Sequence, residues 1–471
     1  MLVLLPPVLA ILLALKTRQV FLSLFVGLWL GTTILVGGNP IAGLSELASQ
    51  MVAVFSDAGN TRIVFFCLLV GSLIALVQAS GGVAGFVAWA QRRGWGTSRR
   101  GAELLAMAVG LLIFVESSIT SLAVGAVGRP FFDKLKLPRE KLAYYCDATS
   151  APVCMMIPLN GWGAYVLGLL AAQGVTIGAV SLLAESLLYN FFCWFAIVFA
   201  LILAFTGFGF GPMRTAELRA QEGQLTRPGS TPLVSDEVAD LKPVEGAPLR
   251  ASYFVVPILV MILMIFAGLY ITGEGDMRAG SGSTSVLWGV GLAIFVSMGL
   301  ALIPYQGSSV LSLTKSTELI LKGLAGLVPV TLLIVFAFAL GQVSRALEMG
   351  PYLVSVIGEG TAAWWLPGLV FLIGCFVSFT LGSSWTAFAI LIPIALPLAE
   401  GLGMPLPLLV GAVLSGGVYG DHASPLSDTS IISSMAAACD HVDHVNTQLP
   451  YTALLAVLSL LAFVIAGFVV A

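Results

Sequence analysis

From Pro407 to Cys439 the chain is apolar, then polar, then apolar again, and this stretch limits what it can fold into. Pro407–Val418 and Ile431–Ala438 are strongly apolar, yet Tyr419-Gly-Asp-His-Ala-Ser-Pro-Leu-Ser-Asp-Thr-Ser430 lies between them. Carboxylates and hydroxyls are costly in lipid, so at such depth they face a protein interior or a water-filled path. One plain span needs about 20 residues, and this run is longer. A span broken in its middle meets both conditions. Gly416, Gly417 and Gly420 offer points of unwinding, and Ser424-Pro425 reads as an N-cap followed by proline at the first helical position. The break would gather Asp421, Ser424, Ser427, Asp428 and Thr429 at a helix N-terminus near the bilayer centre, as an ion or solute site. A kinked helix with satisfied hydroxyls is the plainer alternative, and two unpaired aspartates weigh against it.

The rest of the chain agrees with a membrane. It is 58% hydrophobic and 10% charged, which excludes a soluble globular protein of this length and gives no basis for nucleic-acid binding. Membrane lipid is therefore an expected partner. Met1–Leu15 has no positive n-region and reads as a first span, not a signal peptide. The six cysteines show no CxxC or Cys/His spacing, so they read as small buried hydrophobes.

Basic residues set the orientation. Lys16 and Arg18 place the loop between apolar runs 2–15 and 19–37 inside, so the N-terminus is expected outside and 38–61 with it. Residues 62–80 cross inward, and 83–93 suit an interfacial helix, with Arg92, Arg93, Arg99 and Arg100 marking an inside face there. The apolar run 102–128 then meets a second basic loop, with Arg129, Lys134, Lys136, Arg139 and Lys141. A single span would strand those charges outside. A re-entrant hairpin keeps both loops inside, with Glu116-Ser-Ser-Ile-Thr120 as its tip. Non-helical backbone at that depth is tolerated where it is buried in protein or lines a cavity. Residues 142–170 cross outward, broken at Asp147–Pro152 and Pro158–Gly161, and 177–205 return. The polar segment 207–250 reads as a mobile cytoplasmic linker. Beyond it come spans 251–272, 285–303 and 323–343, a hairpin in 364–400 with tip Gly382-Ser-Ser-Trp-Thr386, the broken span 407–439 and a last span 448–470, which ends outside.

The two halves repeat. Ser117-Ser-Ile-Thr120 answers Ser383-Ser-Trp-Thr386, and Asp147-Ala-Thr-Ser150-Ala-Pro152 answers Asp421-His-Ala-Ser424-Pro425. Each half carries three spans, a hairpin, a broken span and a last span. Five crossings is odd, so the halves must be inverted. The expected fold is thus an all-α polytopic membrane protein of two inverted-topology repeats, 1–206 and 251–471, joined by the linker 207–250. Such plans bind their cargo at the repeat interface near the midplane. No HExxH or GxSxG occurs, and all three histidines fall within 422–444, so an enzyme is not expected. His441 and His444 read as solvated residues at the last inner turn, with a pH-sensing role as the alternative.

Gly420-Asp-His-Ala-Ser-Pro-Leu-Ser-Asp-Thr-Ser430, with Asp440-His-Val-Asp-His-Val-Asn-Thr-Gln-Leu-Pro-Tyr451, resembles the C-terminal signature of the NhaC-type Na+/H+ antiporter family. The resemblance implies a secondary transporter of the bacterial inner membrane that exchanges Na+ for H+. Some members couple this to a small organic anion or amino acid, and symport of such a solute with Na+ is the alternative reading. It implies Na+ as coupling ion with no further cofactor, and a homodimer is among the expected assemblies. Na+ is a hard cation and takes oxygen ligands. Asp421, Ser384 and Asp428 are the expected Na+ ligands, with Ser424, Ser427, Thr429, Ser383 and Thr386 around them. Asp147, Thr149, Ser150, Ser117, Ser118 and Thr120 form the counterpart set in the first half. Glu116 stands where the second hairpin has Gly382, and is a candidate proton carrier.

Overall fold

The computed structural model describes every residue except 1–3, 18–19, 93–97, 115, 176–177, 233–242, 245–246, 278–279, 306–307, 349–351, 353–362 and 471. Arg18, Arg93 and Lys242, which the sequence assigns to the inner face, lie outside the described residues. The fold is all-α as expected; among the described residues a two-residue pairing of Pro304–Tyr305 with Ser308–Ser309 is the exception. Among the described residues six helices are long and apolar enough to cross a bilayer, or up to eight spans if each of two bent pairs counts as one. That is fewer than the ten crossings expected from hydropathy; Ala179–Leu188 and Leu366–Leu381 are apolar but shorter, and several apolar runs are interrupted.

The chain opens with α1 (Leu5–Thr17), α2 (Val20–Leu35) and α3 (Pro40–Ala53). The segment expected as an outside loop is largely α3, bent 112° from the helix before it. Asn39 starts it by accepting from the amides of Ile41 and Ala42, with Pro40 in the first turn. Next come α4 (Ala58–Ala79) and the interfacial-type helix α5 (Gly82–Arg92). The first hairpin is α6 (Arg99–Leu112) and α7 (Ser117–Lys134), packed on each other. The broken span follows as α8 (Arg139–Ala148), α9 (Ala151–Met156) and α10 (Gly161–Ala172). Asn160 holds its second break, donating to the carbonyls of Phe114, Cys154 and Ile157. The run expected as one span over 177–205 is two helices, α11 (Ala179–Leu188) and α12 (Phe191–Thr206). Buried Asn190 sits in the gap and accepts from Ser415 Oγ at 2.8 Å, whereas Glu185 is exposed.

The linker contains α13 (Gly211–Gln221), and its described part up to Thr231 is pinned where mobility was expected. Lys141 is buried between Glu103 (2.9 Å) and Glu217 of α13 (2.7 Å). Arg219 pairs with Glu140, Arg227 with Asp443, and Thr231 donates to Asp440. Polar composition suggests disorder, but each of these charges has a partner on a packed helix. At this edge burial pushes the Asp440 carboxyl up, yet hydrogen bonds from Thr231, Asp443 and Val442 outweigh it and hold it below the usual range.

The second half has α14 (Ser252–Thr272), α15 (Gly282–Leu302) and α16 (Leu313–Ala346). The 34 residues of α16 make about 51 Å at 1.5 Å per residue, longer than the hydrocarbon layer. Lys315 and Lys322 lie within its first turns. The second hairpin is α17 (Leu366–Leu381) and α18 (Ser384–Gly401); the second broken span is α19 (Leu406–Ala423) and α20 (Asp428–Ala437); α21 (His441–Val470) ends the chain.

Two close crossings hold these elements. Gly71 of α4 meets Gly323 of α16 so tightly that a Cβ on either would lie 2.2 Å from the other's carbonyl oxygen. Gly416, Gly417 and Gly420 do not unwind α19; they let α17 and α18 close on it, against Phe371, Phe388 and Ser378. Gly326, one turn beyond Gly323 on α16, has open space around it. Gly323→Ala should lower the thermal unfolding temperature in detergent, since overpacking costs about 1–3 kcal/mol. Gly326→Ala should leave it equal or higher, because alanine favours a helix interior by roughly 0.5–1 kcal/mol. The reverse order would rule out the α4–α16 crossing.

Candidate functional site

The second hairpin turns at Gly382, whose φ of 68° and 2.4 Å approach to Leu426 O at its Cβ position favour glycine. Ser383 is then the N-cap of α18, accepting from Thr386 N. The amide of Ser384 is left to another acceptor, and Asp421 Oδ1 of α19 takes it at 2.8 Å. A carboxylate from a different element thus caps the helix, where the free N–H groups and the macrodipole favour negative charge. The other oxygen, Asp421 Oδ2, is buried without a protein partner, and so are Ser384 Oγ and Thr386 Oγ1. Buried polar atoms are nearly always bonded. These unsatisfied oxygens at one helix start form a donor set suited to a hard cation.

The break after Asp421 differs in detail from its expected form. Helix α19 runs on to Ala423, and Ser424 ends it, donating to Phe379 O at 2.5 Å and accepting from Leu426 N. The N-cap of α20 is Ser427, three residues beyond Ser424, because Pro425 falls in the gap and not in the first turn of a helix. Thr429 Oγ1 donates to Asp421 O at 2.9 Å and shares a hydrogen with Ser427 Oγ. Asp428 begins α20 and is exposed, with Oδ1 accepting from Thr429 N.

In the first half the hairpin caps itself. Glu116 is the N-cap of α7, accepting from Ile119 N at 2.9 Å and from Ser117 Oγ at 3.2 Å. Thr120 Oγ1 donates to the carbonyls of Ile113 and Glu116. Thr149 and Ser150 donate to Tyr145 O and Asp147 O. These hydroxyls hold the turns and breaks in shape. Asp147 is fully buried; its Oδ2 accepts from Ser430 Oγ at 2.8 Å and Gln448 Nε2 at 2.7 Å, and Oδ1 has no protein partner. Ser430 Oγ also lies 3.0 Å from Asp421 O, so one hydroxyl joins the two breaks. Ser433 Oγ donates to Ser121 Oγ of α7, and Arg139 Nη1 to Ala437 O at the end of α20.

Beside this lies a cavity of about 510 Å³ between α4, α16 and the first hairpin. Glu116 and Ser118 line it from the hairpin, Gln78 from α4 and Lys322 from α16. Glu116 is near enough to Asp428 for their charges to interact.

Ser430, Ser433, Ser434 and Gln448 are absent from the expected set, though three lie on α20. Their i, i+3, i+4 spacing on a short apolar helix was the available signal. His444 is also not a solvated residue: it is fully buried, bonded to Ser434 and Gln448.

Residues 153–468 match the model of the Na+/H+ antiporter family. The chain is 34% identical to an uncharacterized protein of Haemophilus influenzae over 98% of its own length and 90% of that protein's. A shorter match, 33% identical over 27% of this chain and 31% of the relative, is to the malate-2H+/Na+-lactate antiporter of Bacillus subtilis. Among solved structures MtrF of Neisseria gonorrhoeae, from a class of antimetabolite efflux pumps, aligns with a TM-score of 0.56. At 13% identity, over 96% of this chain and 95% of that one, the likeness is one of fold. With two thirds of its length matched by the family, the chain belongs to the Na+/H+ antiporter family and is a multi-pass membrane transporter.

Proposed function

We propose that the protein exchanges Na+ for H+ across a bacterial inner membrane, with Asp421 as the carboxylate both ions use. The observation that carries this is the group of buried, unsatisfied oxygens, Asp421 Oδ2, Ser384 Oγ and Thr386 Oγ1, at the start of α18. A carboxylate there can be balanced by a cation or a proton. If one excludes the other, each lowers the other's affinity by the same factor, which is sufficient for exchange. Asp428 adds negative charge at the rim without being enclosed.

Asp421→Asn should insert and fold but lose Na+-driven pH change in proteoliposomes. Asp428→Asn should retain exchange with apparent Na+ affinity weakened about tenfold, the worth of roughly 1.4 kcal/mol. Wild-type exchange by Asp421→Asn would remove the site from this position.

The inverted arrangement, with halves 1–206 and 251–471 and both termini outside, supports a midplane site reached from either face. In a background without reactive cysteines, Lys136→Cys should label only from the inside and Glu400→Cys only from the outside. The opposite pattern would overturn this topology.

A second reading, transport of an organic solute together with the ions, is favoured by the cavity. Its walls carry one carboxylate, Glu116, and one ammonium, Lys322, for which no ion pair occurs among the described residues. Lys322→Gln should then abolish uptake of a carboxylate-bearing solute and leave Na+/H+ exchange unaffected. Equal solute uptake by this variant would sink the reading.

A further inference from the structure

The last turn of α20 meets the first turn of α21 at three side chains that share one hydrogen. Ser434 Oγ lies 3.0 Å from Nδ1 of His441 and 2.8 Å from Nδ1 of His444. The opposite ring nitrogens both face carbonyl oxygens: His441 Nε2 is 2.8 Å from Pro425 O, and His444 Nε2 is 2.9 Å from Gln448 Oε1. A carbonyl only accepts, so each Nε2 carries a hydrogen. The Gln448 amide cannot be turned round, because its Nε2 donates to Asp147 Oδ2 at 2.7 Å and to His422 O at 2.5 Å.

Two neutral rings therefore offer two Nδ1 acceptors to a single hydroxyl hydrogen, for which Ser430 O, 2.8 Å from Ser434 Oγ, is a third acceptor. One added proton completes the set. The imidazolium donates from Nδ1 to Ser434 Oγ, and the Ser434 hydrogen goes to the other ring. A second would set two cations across one oxygen, where they repel. The carbonyl end of α20 favours a single positive charge here.

We propose that His441, Ser434 and His444 form a binding site for one transported proton, on a route from the linker side of the protein to Asp147. His441 is partly exposed and His444 is fully buried. In the transfer step the proton leaves His441 Nδ1 for Ser434 Oγ as the Ser434 hydrogen passes to His444 Nδ1. Only those N–H and O–H bonds change, and one positive charge moves inward. His444 Nε2 then lies 3.9 Å from Asp147 Oδ2, its counter-charge.

The surroundings leave Asp147 as the principal partner. On α8 Glu140 is paired with Arg219 and Arg139 with Asp133; on α19 Asp421 accepts from Ser384 N, and His422 is stacked on Tyr144 of α8 with ring centroids 5.8 Å apart. Asp443, on α21 itself, is taken by Arg227, and Asp440 by Thr231. Glu217 of α13 is held by Lys141, and α12 and α17 bring only the thiols of Cys193 and Cys375. Asp428 opens the far end of α20.

The inference rests on the exchange reading for the identity of its ligand as a transported ion, and its test separates the two. The chain has three histidines, so ¹⁵N-histidine labelling in nanodiscs yields three resolvable imidazoles by NMR. His441 and His444 should take up one proton between them in a shared step, and Ser434→Ala should turn this into independent titrations. In proteoliposomes Ser434→Ala and His441→Gln should displace the pH–rate profile of Na+-driven exchange, with apparent Na+ affinity kept within about twofold. The proposal is overturned if the wild-type rings titrate independently, or if both variants reproduce the wild-type profile. A shared titration in a protein that moves no Na+ against H+ would support the proton site and overturn the exchange reading.

Discussion

The contact between the Asp421 carboxylate and the amide of Ser384 is the joint on which the site depends. It closes the N-terminus of α18, fixes how far α19 can run before it breaks, and aims Oδ2 away from the backbone. Helix starts in a protein interior must have their amides satisfied. Here the satisfying group comes from a different element, α19. Hairpin and broken span therefore cannot move independently without exposing either the amides or the carboxylate.

The first half solves the same problem with a different residue. Glu116 caps α7 from within the hairpin, which frees Asp147 to reach Ser430 and Gln448. The two aspartates are equivalent in sequence pattern but not in bonding. One is engaged by a hairpin tip of its own half, and the other by side chains of the opposite half. A scaffold built on matching motifs thus presents two carboxylates with different partners.

The sequence made the large-scale plan legible. Apolar runs of the wrong length marked both hairpins and both broken spans, because lipid penalises exposed backbone and polar groups. Asp421, Ser384 and Glu116, singled out by their position in those runs, lie at the starts of α18 and α7. Finer features were hidden for physical reasons. Glycines in α19 permit either unwinding or close approach, and only the neighbours Phe371 and Phe388 decide between them. The break at Asn190 carries no proline or acidic residue, so hydropathy passes over it. Gln448 and Ser434 act through partners from distant segments, and no local spacing reports a contact between residues 147 and 448. The pinned linker was hidden likewise, since a charged segment looks the same whether its partners are solvent or Glu140 and Asp443.

At the α4–α16 crossing, backbone lies on backbone at Gly71 and Gly323. Most helix contacts in a membrane can relax by changing rotamers, but this one has none to change. It resists sliding, since one residue of slip along either helix brings a side chain into the gap. The pair therefore acts as a stop against sliding, and Ser72 Oγ, donating to Ile320 O at 2.9 Å beside it, holds the crossing in angle as well.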